Sequence, residues 1–410
     1  MISGLSLNIY PDPVQRLPDP RWQIAHVNVG SHGLYAITGN DLSAEDLGTS
    51  LEAILAERDA VRAAQYVFGS VPARSPLAAS GVSLVSASFP VAGATLLGGQ
   101  RGGRTVTPRP VSSAAIAAAP LSTQLYAISP AAAVTPVIHK GRRAGIAFED
   151  THARYCLLGD ITADDPAAFR SVQCRQLFEN MEGALAVAGL AFTDIVRTWL
   201  YVDAILDWYD TLNQVRTRFF NERGVFAKRV PASTGIGAAN ARGTAIVASL
   251  LAVRPRAAPA AGASSAPVAP LTIRPLRSPL QCSAEDYGSS FSRAIEIARP
   301  DGGAREIYIS GTASIEPGGQ TVHVGDVEKQ IALSMEVVAA ILADQKLGWA
   351  NVSRAIAYFR DLEKDLPRFR GYLAAHGLGD LPVVCMQADI CRDDLLFEIE
   401  ADAFSPGAPA

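Results

Sequence analysis

A period of about 152 residues constrains this chain more than any other feature, because it requires one folding unit to be built at least twice. It separates Gly159 from Gly311, Gly224 from Gly377 and Pro231 from Pro382, and each pair marks the same step of a recurring order. In the first copy a strand is expected at Arg154–Asp160, a helix at Phe169–Gly189, a strand at Thr193–Val202 and a helix at Trp208–Phe220, stopped by Gly224. Pro231 then opens the run PASTGIGAANARG, which leads into the apolar strand Thr244–Val253. The second copy repeats this with a strand at Glu306–Gly311, a helix at Gly325–Leu342, a strand at Val352–Asp361 and a helix at Leu366–His376. Pro382 opens its next strand and Leu395–Ala401 closes the unit.

A Pro/Ala/Ser linker at 256–270 separates the copies, giving a first repeat at 136–255 and a second at 271–410. Residues 1–135 form an N-terminal region in which a degenerate third unit is one option. There, Trp22–Ile37 alternates like a strand pair, Ser43–Gln65 is predicted as a helix and Val82–Leu97 as strands. The stretch 98–119 is rich in Gly, Arg, Ser and Ala, and is expected to be either a mobile lid that brings arginines to a ligand or a solvated surface loop.

With 49% hydrophobic and 19% charged residues, a chain of 410 residues can bury a sizeable core. A net charge of −4 gives no basic footprint for nucleic acid or an anionic membrane. The start Met-Ile-Ser-Gly-Leu has no leader pattern and no run of 18 apolar residues occurs, so a soluble protein is expected. Five cysteines without CxxC spacing predict a reducing cytoplasm with no disulfide frame, and six histidines without ligand spacing predict no metal.

The two copies differ at their ends. Ala245–Leu251 carries no acid, whereas the second copy reads Phe397-Glu398-Ile399-Glu400. Alternation along a strand puts both glutamates on one side, and an acid in an apolar strand beside a like charge is a natural proton donor near neutral pH. A solvated edge strand is the competing account of the same residues. The stretch Pro382–Glu400 is expected to form two β-runs joined by an acidic turn at Arg392–Asp394, with Gln387 and Asp389 sharing the strand parity of Cys391. Arg360, at a strand end beside Tyr358, is a candidate for holding an anionic ligand, as are the backbone amides at Gly311 and Thr312. Tyr201, the counterpart of Tyr358, is either a pocket wall or a core aromatic. Arg392 is expected in solvent.

These residues carry a family resemblance. The unit Ile309-Ser310-Gly311, Pro382 and Phe397–Ala401 resembles the RidA (YjgF) fold, in which subunits close with an EIE strand and place its first Glu in a cleft between subunits. YISGTASI at Tyr308–Ile315, His323–Gln330 and PASTGIG at Pro231–Gly237 make the duplicated chain similar to the chorismatases, over roughly residues 140–403. The resemblance implies tandem RidA-like α+β units, each a chorismate-mutase-like β-sheet with helices packed on one face. It also implies a site using no cofactor or metal, and either a monomer with pseudo-trimeric arrangement or a homotrimer.

By the same resemblance Glu398 is the catalytic acid, protonating the enolpyruvyl group of chorismate so that it leaves as pyruvate. Arg360, Gly311, Thr312, Tyr358, Tyr201, Gln387 and Asp389 are the expected substrate-binding residues. Cys391 falls where members forming 3-hydroxybenzoate carry Cys, while Ala238 falls where hydrolytic members carry Ala, so these two product-determining positions point in opposite directions. The expected product is 3-hydroxybenzoate, with 4-hydroxybenzoate as a possible companion. The alternatives are a dihydroxycyclohexadiene carboxylate formed by hydrolysis or, in another class, a non-catalytic RidA-like binding protein. The deaminase branch grips its substrate with an Arg two residues after the Pro. Pro382-Val383-Val384 and Pro231-Ala232-Ser233 lack it, so imine deamination is not expected.

Overall fold

Three sheets built by one repeated connection make up the computed structural model, which describes residues 14–17, 19–29, 31–69, 82–86, 121–256, 271–300 and 303–405. In the third sheet, Val383–Gln387 lies parallel to Val352–Phe359, which pairs antiparallel with Phe397–Ser405. Arg305–Ala313, Ala294–Ala298 and Thr272–Leu276 follow in antiparallel order. The second sheet has the same order, running Ala232–Gly237, Ile195–Val202, Ile246–Pro255, Ala153–Thr162, Arg142–Glu149 and Thr135–His139. The first repeats it with Val82–Ser86, Val61–Phe68, Leu121–Ser129, His32–Leu42, Trp22–Val29 and Val14–Arg16. The parallel pair in each sheet requires a crossover, which helix Tyr209–Glu222 supplies in the second and Leu362–Ala375 in the third.

Each sheet has two dissimilar apolar faces. The outer face of the second packs on Arg170–Val187 and Tyr209–Glu222, and that of the third on Val327–Asp344 and Leu362–Ala375. In the third sheet, the rings of Phe359, Phe369 and Phe397 meet at 5.1–5.5 Å, contacts worth about 0.5–1.5 kcal/mol each beyond their buried area. The inner faces of all three sheets share one core, where Tyr66 and Tyr126 of the first sheet meet Trp199 and Tyr201 of the second and Tyr358 of the third. The tandem arrangement expected for the second and third sheets is therefore present, with sheets inside and helices outside. Among the described residues no helix is long and apolar enough to cross a membrane.

Two sequence expectations need correction. Ser43–Gln65 is not one helix: Ala44–Gly48 and Ser50–Glu57 are helical, Asp59 takes φ 46°, and Val61–Phe68 is a strand. Hydrogen bonding to strands on both sides outweighs the helical pattern of that stretch. Nor is Pro382–Glu400 a hairpin. Val352–Phe359 lies between Val383–Gln387 and Phe397–Ser405, because the crossover helix sends the chain to the sheet edge before it returns to the middle. The stretch 98–119, read as lid or loop, lies outside the described residues.

Candidate active site

Glu398 occupies the inner strand Phe397–Ser405, opposite Ala313 on one side and Tyr358 on the other. Alternation turns Phe397 and Ile399 to the helices and leaves Glu398 and Glu400 on the inner face. Glu398 is only 5% exposed, so it is not on a solvated edge. Its carboxyl leans over Gly311, where any added Cβ would collide with it, so the absence of a side chain at Gly311 makes room for the acid.

The Glu398 carboxyl lines a narrow cavity of about 50 Å³ between the second and third sheets. Leu200, Tyr209, Leu212, Arg216, Ser233 and Gly235 come from the middle of the chain. Phe291, Arg293, Gly311, Cys391 and Arg392 come from its last part. Tyr209, Ser289, Cys391 and Arg392 also border a wider cavity of about 1050 Å³, so the acid lies at the narrow end of a funnel. Backbone bonds tie the walls together: Gly237 and Asp389 exchange N–H···O bonds of 2.6 and 3.1 Å.

Burial, and next the charge of Glu400, push the Glu398 carboxyl up to about 8, against the opposing pull of Arg197 and Arg293. Burial also acts on Glu400, yet Arg197 and Arg354 outweigh it and hold that carboxyl below its ordinary range. Arg197 Nη2 donates to Glu400 Oε2 at 2.9 Å, Arg354 Nη2 to Oε1 at 2.5 Å and Trp199 Nε1 to Oε1 at 2.9 Å. Arg354 continues to Asp402 at 2.6 Å and, in the first sheet, to Gln124 at 2.7 Å and Tyr126 at 3.1 Å. One carboxyl is thus neutral and its neighbour ionised, the pairing that general acid chemistry needs.

Of the residues picked out in the sequence, Glu398, Gly311 and Cys391 meet in this cavity. Burial and the charge of Glu398 push the Cys391 thiol up to about 12, so it is a wall and not a thiolate nucleophile. The others lie elsewhere. Arg360 is committed to Asp389 at 3.0 Å and to the carbonyls of Leu395, Ile390 and Arg392, clamping the loop that carries Cys391. Asp389 is held by that pair and by the Gly237 bridge, and Gln387 stands on the sheet-edge strand. Neither shares a strand face with Cys391, because regular pairing ends at Gln387. Thr312 turns away and donates to the Ser310 carbonyl. Tyr201 and Tyr358 are core aromatics, and Ala238 is buried beside the Gly237 bridge without lining the cavity.

Sequence reasoning passed over Arg216 and Arg293, and placed Arg392 in solvent. Arg216 sits inward on helix Tyr209–Glu222, Arg293 precedes a short strand, and Arg392 donates to the Gly319 carbonyl at 2.8 Å while lining the cavity. The signal available for the charge network was the Arg that the two copies share, Arg197 and Arg354, within strands otherwise uncharged. No cluster of metal-ligating side chains occurs among the described residues.

No family model matches the chain. A protein named chorismatase from Streptomyces rapamycinicus is 30% identical over 233 residues, covering 52% of this chain and 65% of that relative. A protein named 3-hydroxybenzoate synthase from Streptomyces hygroscopicus is 28% identical over 233 residues, covering 51% and 63%. This chain therefore spans less than two thirds of either relative's length. A chorismatase crystal structure superposes with a TM-score of 0.57 and 19% identity over 83% of this chain and 92% of its own. The chain has the chorismatase fold. Within that fold, the residues lining the cavity at Glu398 come from the segments of the chain that build the second and third sheets.

Proposed function

We propose that this protein is a chorismatase, with Glu398 protonating the terminal carbon of the enolpyruvyl group of chorismate. The observation that carries this proposal is a buried carboxyl, held above its ordinary range by that burial, at the end of a cavity bearing three arginines. Protonation of the enol ether gives an oxocarbenium ion, which the neighbouring ring hydroxyl or a water can resolve. In the first case the side chain leaves as pyruvate and the ring aromatises to 3-hydroxybenzoate, with no water consumed. In the second, one water is consumed and a dihydroxycyclohexadiene carboxylate remains. Chorismate carries two carboxylates, and Arg216, Arg293 and Arg392 are the cations on the cavity wall that suit them.

Cys391 on that wall, beside Glu398, favours the benzoate, as does the relative bearing that product's name. Ala238 favours the hydrolytic route, and its contact with the bridge between the sheets is the means by which it would act. Each of the three sheets is taken as one RidA-like unit, at 1–135, 136–255 and 271–410, so that a single chain does what a trimer of units would. The five free thiols suit a reducing cytoplasm.

Incubation with chorismate tests this function. Wild type should release pyruvate with a benzoate as ring product, and Glu398→Gln should lower kcat by at least about 10²-fold. No pyruvate from wild type, or undiminished release by the variant, overturns it.

A further inference from the structure

Glu400 does not line the cavity and is fully buried, yet it is the most heavily bonded carboxylate near Glu398. We propose that Glu400 is a positioning residue for Glu398: it captures Arg197, and by doing so keeps Glu398 free of an ion pair and able to hold the proton it donates. This rests on the function proposed above.

The geometry is a relay. Arg197 Nη2 bridges Glu400 at 2.9 Å and Thr234 Oγ1 at 2.7 Å, and the same Thr234 oxygen accepts the Gly311 amide at 3.0 Å. Gly311 is the surface on which the Glu398 carboxyl rests. One carboxylate therefore fixes the arginine, the threonine and the backbone under the acid. Arg197 has no exposed surface, so its charge must be satisfied inside; Glu400 pairs with it directly, and its field also reaches Glu398 and Asp402, of which Asp402 is already paired with Arg354. With Glu400 in place, Arg197 is drawn to it. Without Glu400, pairing with Glu398 is the way to satisfy that charge, and a paired carboxylate has lost the proton that the chemistry requires.

The remaining charges facing the pair do not replace this arrangement. Arg354 binds Glu400 from the strand beside it and is shared with Asp402, whose carboxyl burial raises. Arg293 faces Glu398 from the loop side, with Arg216, Arg392, Tyr209 and Cys391 around the same cavity. Tyr66, Tyr201 and Tyr358 pack near Glu400 as neutral phenols, their ionisation suppressed first by burial. Within the chain the two acids occur together: the matched positions of the second sheet are Val247 and Ser249, opposite Tyr201 and Trp199, and those of the first are Ser122 and Gln124, opposite Phe68 and Tyr66.

The test is an infrared titration of the full-length protein, with the carboxyl band of Glu398 assigned by its loss in Glu398→Gln. In Glu400→Gln that band should titrate at least one pH unit lower, a tenfold or greater gain in acidity, and the alkaline limit of kcat should fall with it while KM stays within about twofold. An unmoved band in folded Glu400→Gln overturns the proposal. Should that variant not fold, Arg197→Gln is decisive, because removing the captured arginine must raise the Glu398 midpoint, and an unchanged or lowered midpoint defeats the claim. In wild type, a Glu400 band still protonated at pH 6 defeats it as well. The infrared shift needs no substrate, so a protein that shows the shift but releases no pyruvate refutes the proposed function and not the coupling.

Discussion

The central strands of the second and third sheets, Ile246–Pro255 and Phe397–Ser405, have the same neighbours and opposite contents. Opposite Tyr201 the second sheet has Val247, and opposite Tyr358 the third has Glu398. Two residues on, Ser249 corresponds to Glu400, and two further, Leu251 corresponds to Asp402. A bulge is present in both sheets, setting Asp160 in the second where Gly311 stands in the third. Asp160 fills its position and pairs with Arg142 and Arg242, whereas Gly311 leaves its position to the Glu398 carboxyl. Backbone architecture is thus indifferent to chemistry here, and a few positions, three occupied by acids and one vacated by a side chain, separate a wall from a candidate active site.

Three changes would break or sharpen that contrast. The largest effect is expected from copying the acid into the second sheet. Val247→Glu adds a carboxyl to the inner core without Glu400, Arg293 or a vacated glycine around it, and should cost on the order of 3 kcal/mol in a denaturant melt while creating no second site. Stability within about 0.5 kcal/mol of wild type would mean that the second sheet already accommodates an acid. Next is Gly311→Ala, whose Cβ displaces the Glu398 carboxyl. Pyruvate release should fall by about 10²-fold while the thermal midpoint shifts by only a few degrees, and a near-normal rate would show that the vacated position is not needed.

A third effect is electrostatic and needs no substrate. Glu398 holds its proton to about pH 8 when folded, whereas the unfolded chain releases it near the ordinary glutamate value of about 4.5. The folded state therefore binds the extra proton, and the Glu398 contribution to stability is intact below about pH 4.5 and is lost as pH rises through 8. Glu398→Gln should match wild type in stability at pH 4.5 and exceed it progressively up to pH 9. Parallel melting curves at both pH values would contradict the buried, protonated acid.

What the sequence disclosed and what it hid follow from the same comparison. Repeats announce themselves in glycines and prolines, which mark turns whatever the side chains around them do, so Gly224, Gly377, Pro231 and Pro382 revealed the second and third units. Glu398 was legible because an acid in an apolar strand is costly and its counterpart stretch has none. Strand order was not legible, since a parallel crossover and a hairpin leave the same local pattern. Arg360 looked like a ligand clamp because spacing alone cannot reveal that Asp389 and three carbonyls occupy its guanidinium. Arg216 and Arg293 were invisible for the opposite reason: each lies in an ordinary polar context, and only the meeting of the second and third sheets brings them to one cavity.

The short run at 237–240 belongs to the second segment, yet Gly237 bonds to Asp389 of the third and Ala239–Asn240 forms the last strand of the first sheet. Four consecutive residues are therefore a junction at which all three sheets share hydrogen bonds. Loosening one sheet therefore pulls on the other two, and the three are expected to melt together even though the sequence is written in repeats. Ala238 stands at that junction and outside the cavity lining, so a substitution there is expected to act by adjusting how the walls of the cavity are spaced.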